Sequence, residues 1–259
     1  MPSPPRILFP DFPVLITSRM EEGLPLAAKP IIKLILHSIL ARAQFLFDVQ
    51  ICHLIIMGNH FHFLMQVFDP DRVAAFMDYF KTESGHAVNH LLGRRKRTVW
   101  EDGYDSVPIL TLEDAIDEIV YIYTNPQNAG LESTIELYPG VSSWKMFESG
   151  NLSFTAPWIH RNVIEPIKDF HSQQEEREQY ERLLTTTKET HTFTLNPNGW
   201  MSLFAESKER IAEVNARIAS EIREAEAALA KDRAENGKTV LGAARLKAQP
   251  INKPHTPKK

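Results

Sequence analysis

Apolar and polar positions switch between a two-residue and a three-to-four-residue period across the first 150 residues. Val14-Leu15-Ile16-Thr17 is a short β-branched run between Pro13 and a Glu21–Pro25 loop, and so predicts a strand. From Pro30 to Phe47 the apolar residues recur at helical spacing, with Pro30 where a first helical turn tolerates it. Ile51–Met57 and His60–Phe68 read as two strands joined only by Gly58-Asn59, a hairpin turn. Asp71–Leu92 predicts a helix with an acidic cap, closed by Gly93. Val99–Leu110 reads as extended, with a bend or bulge at Gly103. Thr111–Asn125 predicts a helix opened by the Thr111/Asp114 pair, and Pro126 should end it, because the residue before a proline disfavours helical geometry.

This β-α-β-β-α-β-α order suits an antiparallel sheet covered by helices, and a ferredoxin-like α+β sandwich is its simplest solution. The pattern weakens beyond residue 150, which makes 1–150 the expected first domain and 151–237 a mainly helical extension. Within that extension Ile211, Val214, Ile218, Ile222, Ala225 and Leu229 repeat at three and four. They predict an amphipathic helix over about 202–235 with a seam able to associate with another helix. Residues 238–259 hold six basic residues, no acidic one and three prolines, which reads as a flexible basic tail.

Composition narrows the class. The formal charge is −4 at pH 7, but residues 1–150 carry 12 basic and 18 acidic side chains while 151–259 carry 17 and 15. A single cysteine, Cys52, excludes an internal disulfide and a cysteine-rich zinc site. No apolar run approaches the ~18–20 residues that span a bilayer, and Met1–Arg6 does not read as a secretory signal, so a reducing cytoplasm is expected and no membrane partner. No phosphate-cradling glycine loop is present, so no nucleotide cofactor is expected.

Two constellations carry chemistry. In Asn59-His60-Phe61-His62-Phe63-Leu64, strand alternation turns His60 and His62 to one face, ~6.5–7 Å apart, where they can converge on one metal ion. In Tyr121-Ile-Tyr123-Thr-Asn125-Pro-Gln-Asn-Ala-Gly130-Leu131, Tyr123 falls on the apolar helix stripe. Tyr121 and Asn125, one turn apart, fall off it. A histidine pair alone is more often a half-buried strand, and a Tyr-x-x-x-Asn pair alone is usually surface.

Together and in this order the two motifs resemble the HUH single-tyrosine transposases, closest to the REP-associated tyrosine transposases. Trp100-Glu-Asp-Gly-Tyr104 and Tyr138-Pro139 with Ser142-Ser143-Trp144 echo the same family, and the resemblance spans about residues 7–150. It implies an HUH endonuclease-like fold and a DNA transposase that nicks and joins single-stranded or hairpin DNA. Tyr121 would be the nucleophile of a 5′-phosphotyrosine intermediate, with His60, His62 and Asn125 holding Mg²⁺ or Mn²⁺. Where relatives carry valine-arginine before the Ala-Gly pair, this chain has Gln127-Asn128. The loop Arg94-Arg95-Lys96-Arg97 and the basic tail are candidate phosphate contacts, and a homodimer is plausible for such a fold. A catalytically silent hairpin-binding regulator of the same fold is the alternative, and an assembly protein working through its long helix is a more distant one.

Overall fold

The computed structural model describes residues 8–21, 28–95, 97–169, 172–204 and 208–252. In chain order its elements are β1 (Pro13–Arg19), α1 (Pro30–Phe47), β2 (Gln50–Ile56), β3 (His60–Gln66), α2 (Pro70–Leu91), β4 (Asp105–Pro108) and α3 (Leu112–Asn128). These are followed by β5 (Val141–Ser142), α4 (Trp144–Ser149), β6 (Ser153–Pro157), α5 (Gln173–Thr186), β7 (Thr190–Thr194), α6 (Lys208–Glu235) and α7 (Ala243–Ala248). Strands β4-β1-β3-β2-β5 form a five-stranded antiparallel sheet, and β6 pairs with β7. The fold is α+β, with the ferredoxin-like strand order expected from the alternation of elements and one further edge strand, β5.

Strand alternation divides the core between the two sheet faces. Phe61, Phe63 and Met65 point to the α1/α2 side, and Leu15, Ile55 and Leu64 to the α3 side. A bulge between Ile51 and His53 shifts the β2–β3 register, so that Ile51 opposes Met65 while His53 opposes Leu64. That shift delivers His53 to the α3 side beside Cys52.

Several boundaries differ from the sequence reading. α3 does not stop at Asn125 but runs through Pro126 to Asn128. The proline forgoes the N–H that would donate four residues back, and the helix ends two residues later. The helix then closes with Leu131 N–H donating to Pro126 O at 2.8 Å and Gly130 N–H to Gln127 O at 3.1 Å, Gly130 taking a φ of 66°. Within 99–110 only Asp105–Pro108 forms a strand, with an isolated bridge from Trp100 to Met20. By length and composition α1 is apolar enough to cross a membrane, with mean hydropathy 1.4 over 18 residues, contrary to the expectation that no run was. Here Ile31, Ile35 and Leu40 of that helix are buried in the core.

The chain after residue 150 packs on the same two clusters. Ala156, Phe193 and Leu195 join the α1/α2 side, while Val214, Ile218 and Ile222 join the α3 side. The seam of α6 is thus occupied by its own α3, each buried isoleucine contributing about 1.5–3 kcal/mol of burial free energy. It is not left over as an association surface. The helix also starts later than expected, at Lys208 after a 3₁₀ segment at Gly199–Phe204, with residues 205–207 outside the described residues.

The stretch read as a flexible tail is docked over its described part, 238–252. Leu241 and Gly242 N–H groups donate to Gly130 and Leu131 carbonyls at 2.9 Å each. Leu246 and Ile251 are buried. Two apolar side chains suffice to hold a basic segment against the body, a signal that charge and proline content hide. Residues 253–259 lie outside the described ones.

Candidate functional site

β1 and β3 run antiparallel with Thr17 opposite His62 and Arg19 opposite His60. α3, beginning at the far end of the sheet, delivers its last turns to the same rim. The result brings His60, His62, Tyr121 and Asn125 together. The two imidazoles lie 5.0 Å apart, nearly perpendicular, and Tyr121 meets His62 edge to face at 5.5 Å. Asn125 Nδ2 donates to His62 Nε2 at 3.1 Å.

The environments of these groups differ. His62 is 6% exposed, and burial first, then His60 and Arg19, lower its pKa to about 4. His60 is lowered by burial, opposed by a hydrogen bond with Asn125. Both rings are therefore neutral near pH 7, with lone pairs to offer. Tyr121 is 47% exposed, whereas the neighbouring Tyr123 is fully buried.

Two contributors were not legible as site residues. Asn59, read as a turn residue, accepts from His60 Nδ1 at 2.7 Å, which leaves Nε2 of that ring as the acceptor. Arg19 acts on both histidines, and only the strand register, invisible in the sequence, brings it there.

The arrangement fits a divalent cation by its donors. The set comprises two neutral imidazoles and one amide, and a cation at His62 Nε2 would take the place of the Asn125 N–H that this nitrogen accepts. Among the described residues no group of three His, Cys, Asp or Glu side chains assembles, so the third ligand would be Asn125, offering its oxygen.

The basic loop follows α2: Arg94 N–H donates to Asn89 O at 2.8 Å and Asn89 Nδ2 to Arg97 O at 2.8 Å. The chain then reaches Trp100, which bridges to Met20 beside the Asn59 turn. Lys96 falls outside the described residues. Gln127 is buried and donates to Glu226 of α6, while Asn128 Nδ2 donates to Thr124 Oγ1 at 3.5 Å. Glu226 also accepts from Ile135 N–H at 2.7 Å.

Residues 25–127, from the approach to α1 through the last turn of α3, match the family model described as Transposase IS200 like. Among solved structures, the chain is similar to one described as a REP-associated tyrosine transposase bound to a REP hairpin, at 14% identity and a TM-score of 0.47. That likeness covers 58% of this chain and 87% of the other. No curated protein matches.

Proposed function

We propose that the protein is a transposase that nicks and joins single-stranded or hairpin DNA through Tyr121. The observation that carries this reading is the meeting of Tyr121, Asn125 and His62 at one rim, the amide 3.1 Å and the phenol ring 5.5 Å from the same imidazole. The Oη of Tyr121 attacks the scissile phosphorus, an O–P bond forms, and the bond from phosphorus to the 3′ oxygen breaks. The phenolic proton is lost and the departing 3′ oxygen takes one, leaving a 5′-phosphotyrosine and a free 3′-OH. Rejoining is the reverse attack by a 3′-OH.

A phenol with an ordinary pKa near 10 is a weak nucleophile at neutral pH. A bound Mg²⁺ or Mn²⁺ would polarise the phosphate and stabilise the charge developing on it. His60, His62 and Asn125 would hold that ion, Asn59 would fix the His60 tautomer, and Arg19 would face phosphate oxygens. We place the activity in the cytoplasm, on chromosomal DNA.

The test is a hairpin oligonucleotide with a single-stranded flank incubated with the protein and Mn²⁺, scored for a covalent protein–DNA adduct on a denaturing gel. The wild type is expected to form it and Tyr121→Phe to form none. Equal adduct from both, or none from the wild type across varied hairpins, overturns the assignment. The second reading, a hairpin-binding protein that does not cut, draws on Asn128, which stands where the family resemblance places an arginine. It expects salt-dependent hairpin binding without adduct.

A further inference from the structure

The rim that carries His60 also gathers three lysines from distant parts of the chain: Lys33 in the first turns of α1, Lys145 in α4 and Lys247 in α7. Lys33 Nζ donates to the Gly140 carbonyl at 3.3 Å. Gly140 precedes Val141, whose partner Ile56 ends β2 beside the Gly58-Asn59 turn. Burial, with Lys145 and Lys247 acting as like charges, holds the Lys33 ammonium below the ordinary lysine range. Among the described residues none of the three pairs with a carboxylate. Glu176, which lines one groove with Pro30 and Lys247, is already engaged by Lys29 at 3.1 Å.

Position gives this cluster its meaning. α4 caps the β5 edge, with Trp144 and Phe147 packing on the α3 side and Met146 on the α1/α2 side. The segment leading into α7 leaves from the end of α3, where Leu241 and Gly242 bond to Gly130 and Leu131. It comes round to the start of α1. The lysines therefore gather around the β5 edge and the start of α1, at the end of the sheet where His60 begins β3, β5 being two strand spacings, about 10 Å, from β3. Like charges gathered without counter-ions are unfavourable in the fold alone and are relieved by a polyanion.

We propose that Lys33, Lys145 and Lys247 form a track for the phosphodiester backbone of the DNA strand adjoining the Tyr121 site, an inference that rests on the DNA-processing reading above. Such contacts fix register and carry no base information. The test is fluorescence anisotropy of a labelled hairpin with a single-stranded flank, titrated with the full chain across a salt series. Lys145 and Lys247 are exposed, so the Lys145→Gln/Lys247→Gln double variant keeps the fold, checked by thermal melting.

The slope of log affinity against log salt is expected to shrink by about 0.7 for each lysine removed, equally for unrelated hairpins, and further with Lys33→Gln. Lys188→Gln, an exposed lysine next to β7, serves as the control and should leave the slope unchanged. A wild type that binds hairpins with a slope the double variant shares overturns the track but leaves the Tyr121 chemistry standing. A wild type that binds no hairpin overturns both. Binding to phosphatidylserine vesicles that depends on the same lysines, with hairpin affinity unchanged, overturns the DNA assignment in favour of a membrane.

Discussion

Two histidine–tyrosine pairs lie between the same sheet face and the same helix, and they could hardly be set more differently. His53 and Tyr123 are sealed. His53 Nδ1 meets Tyr123 Oη at 2.8 Å, His53 Nε2 meets Pro197 O at 3.0 Å, and Tyr123 Oη meets Ser143 Oγ at 2.8 Å. Burial pushes the His53 pKa down to about 3 and that of Tyr123 up. His62 and Tyr121 are open at one end. The imidazole has a buried nitrogen without a partner, and the phenol is half in solvent. Residue type does not separate packing from chemistry here. Satisfaction does: one pair has spent every donor and acceptor within the fold, and the other keeps some for a ligand.

Exchanging the pairs by mutation tests that contrast, and the largest effect should be chemical. Tyr121→Phe is expected to abolish the covalent adduct, whereas Tyr123→Phe should keep it and cost about 1–3 kcal/mol of stability, measured by urea unfolding, because partners of the lost hydroxyl remain buried. His53→Ala should cost about 2–4 kcal/mol through a cavity and stranded polar groups. His62→Leu removes an unpartnered buried nitrogen but also the acceptor of Asn125 Nδ2, so it should cost less than His53→Ala, about 1 kcal/mol, while eliminating Mn²⁺ binding in a calorimetric titration. If His62→Leu is as destabilising as His53→Ala, the contrast collapses.

Acid should act most strongly on the sealed pair. The folded His53 pKa, about 3, lies below the ordinary 6.5, so the neutral ring is the one the fold accepts. Its contribution is complete above pH 6.5 and is lost as pH falls toward 3, stability dropping by about 1.4 kcal/mol for each pH step of one across that window. Unfolding curves at descending pH should show that decline, and His53→Leu should reduce it, with His37 and His62, each lowered to about 4, supplying the remainder. The smallest effect is expected at Asn59→Ala, which frees the His60 tautomer and should weaken Mn²⁺ binding roughly tenfold with little change in melting temperature.

Much of this molecule is legible along the chain where local periods dominate. The alternation of His60 to Leu64 and the helical stripe from Ala115 to Tyr123 each specify a face, and together they place the histidine pair opposite Tyr121 and Asn125. Pairings set by distant residues are not legible in this way. The β2 bulge that turns His53 inward interrupts the alternation a sequence reader relies on. β6 and β7, five residues each, find one another across a helix. Arg19 joins the site only through strand register, and the lysine cluster only through tertiary folding. Pro126 misleads because it marks that a helix is near its end without fixing the last residue, which is Asn128, ahead of the left-handed Gly130.

The return of residues 238–252 to the body has a consequence for how the molecule comes into being. A ribosome delivers the sheet, its histidines and Tyr121 well before it delivers Lys247 and Ile251. A product that stopped at Gly237 would possess the proposed nucleophile but lack the plug Ile251 puts into the core and the last lysine of the rim. Translation past Ile251 is thus needed before the rim and the core are assembled.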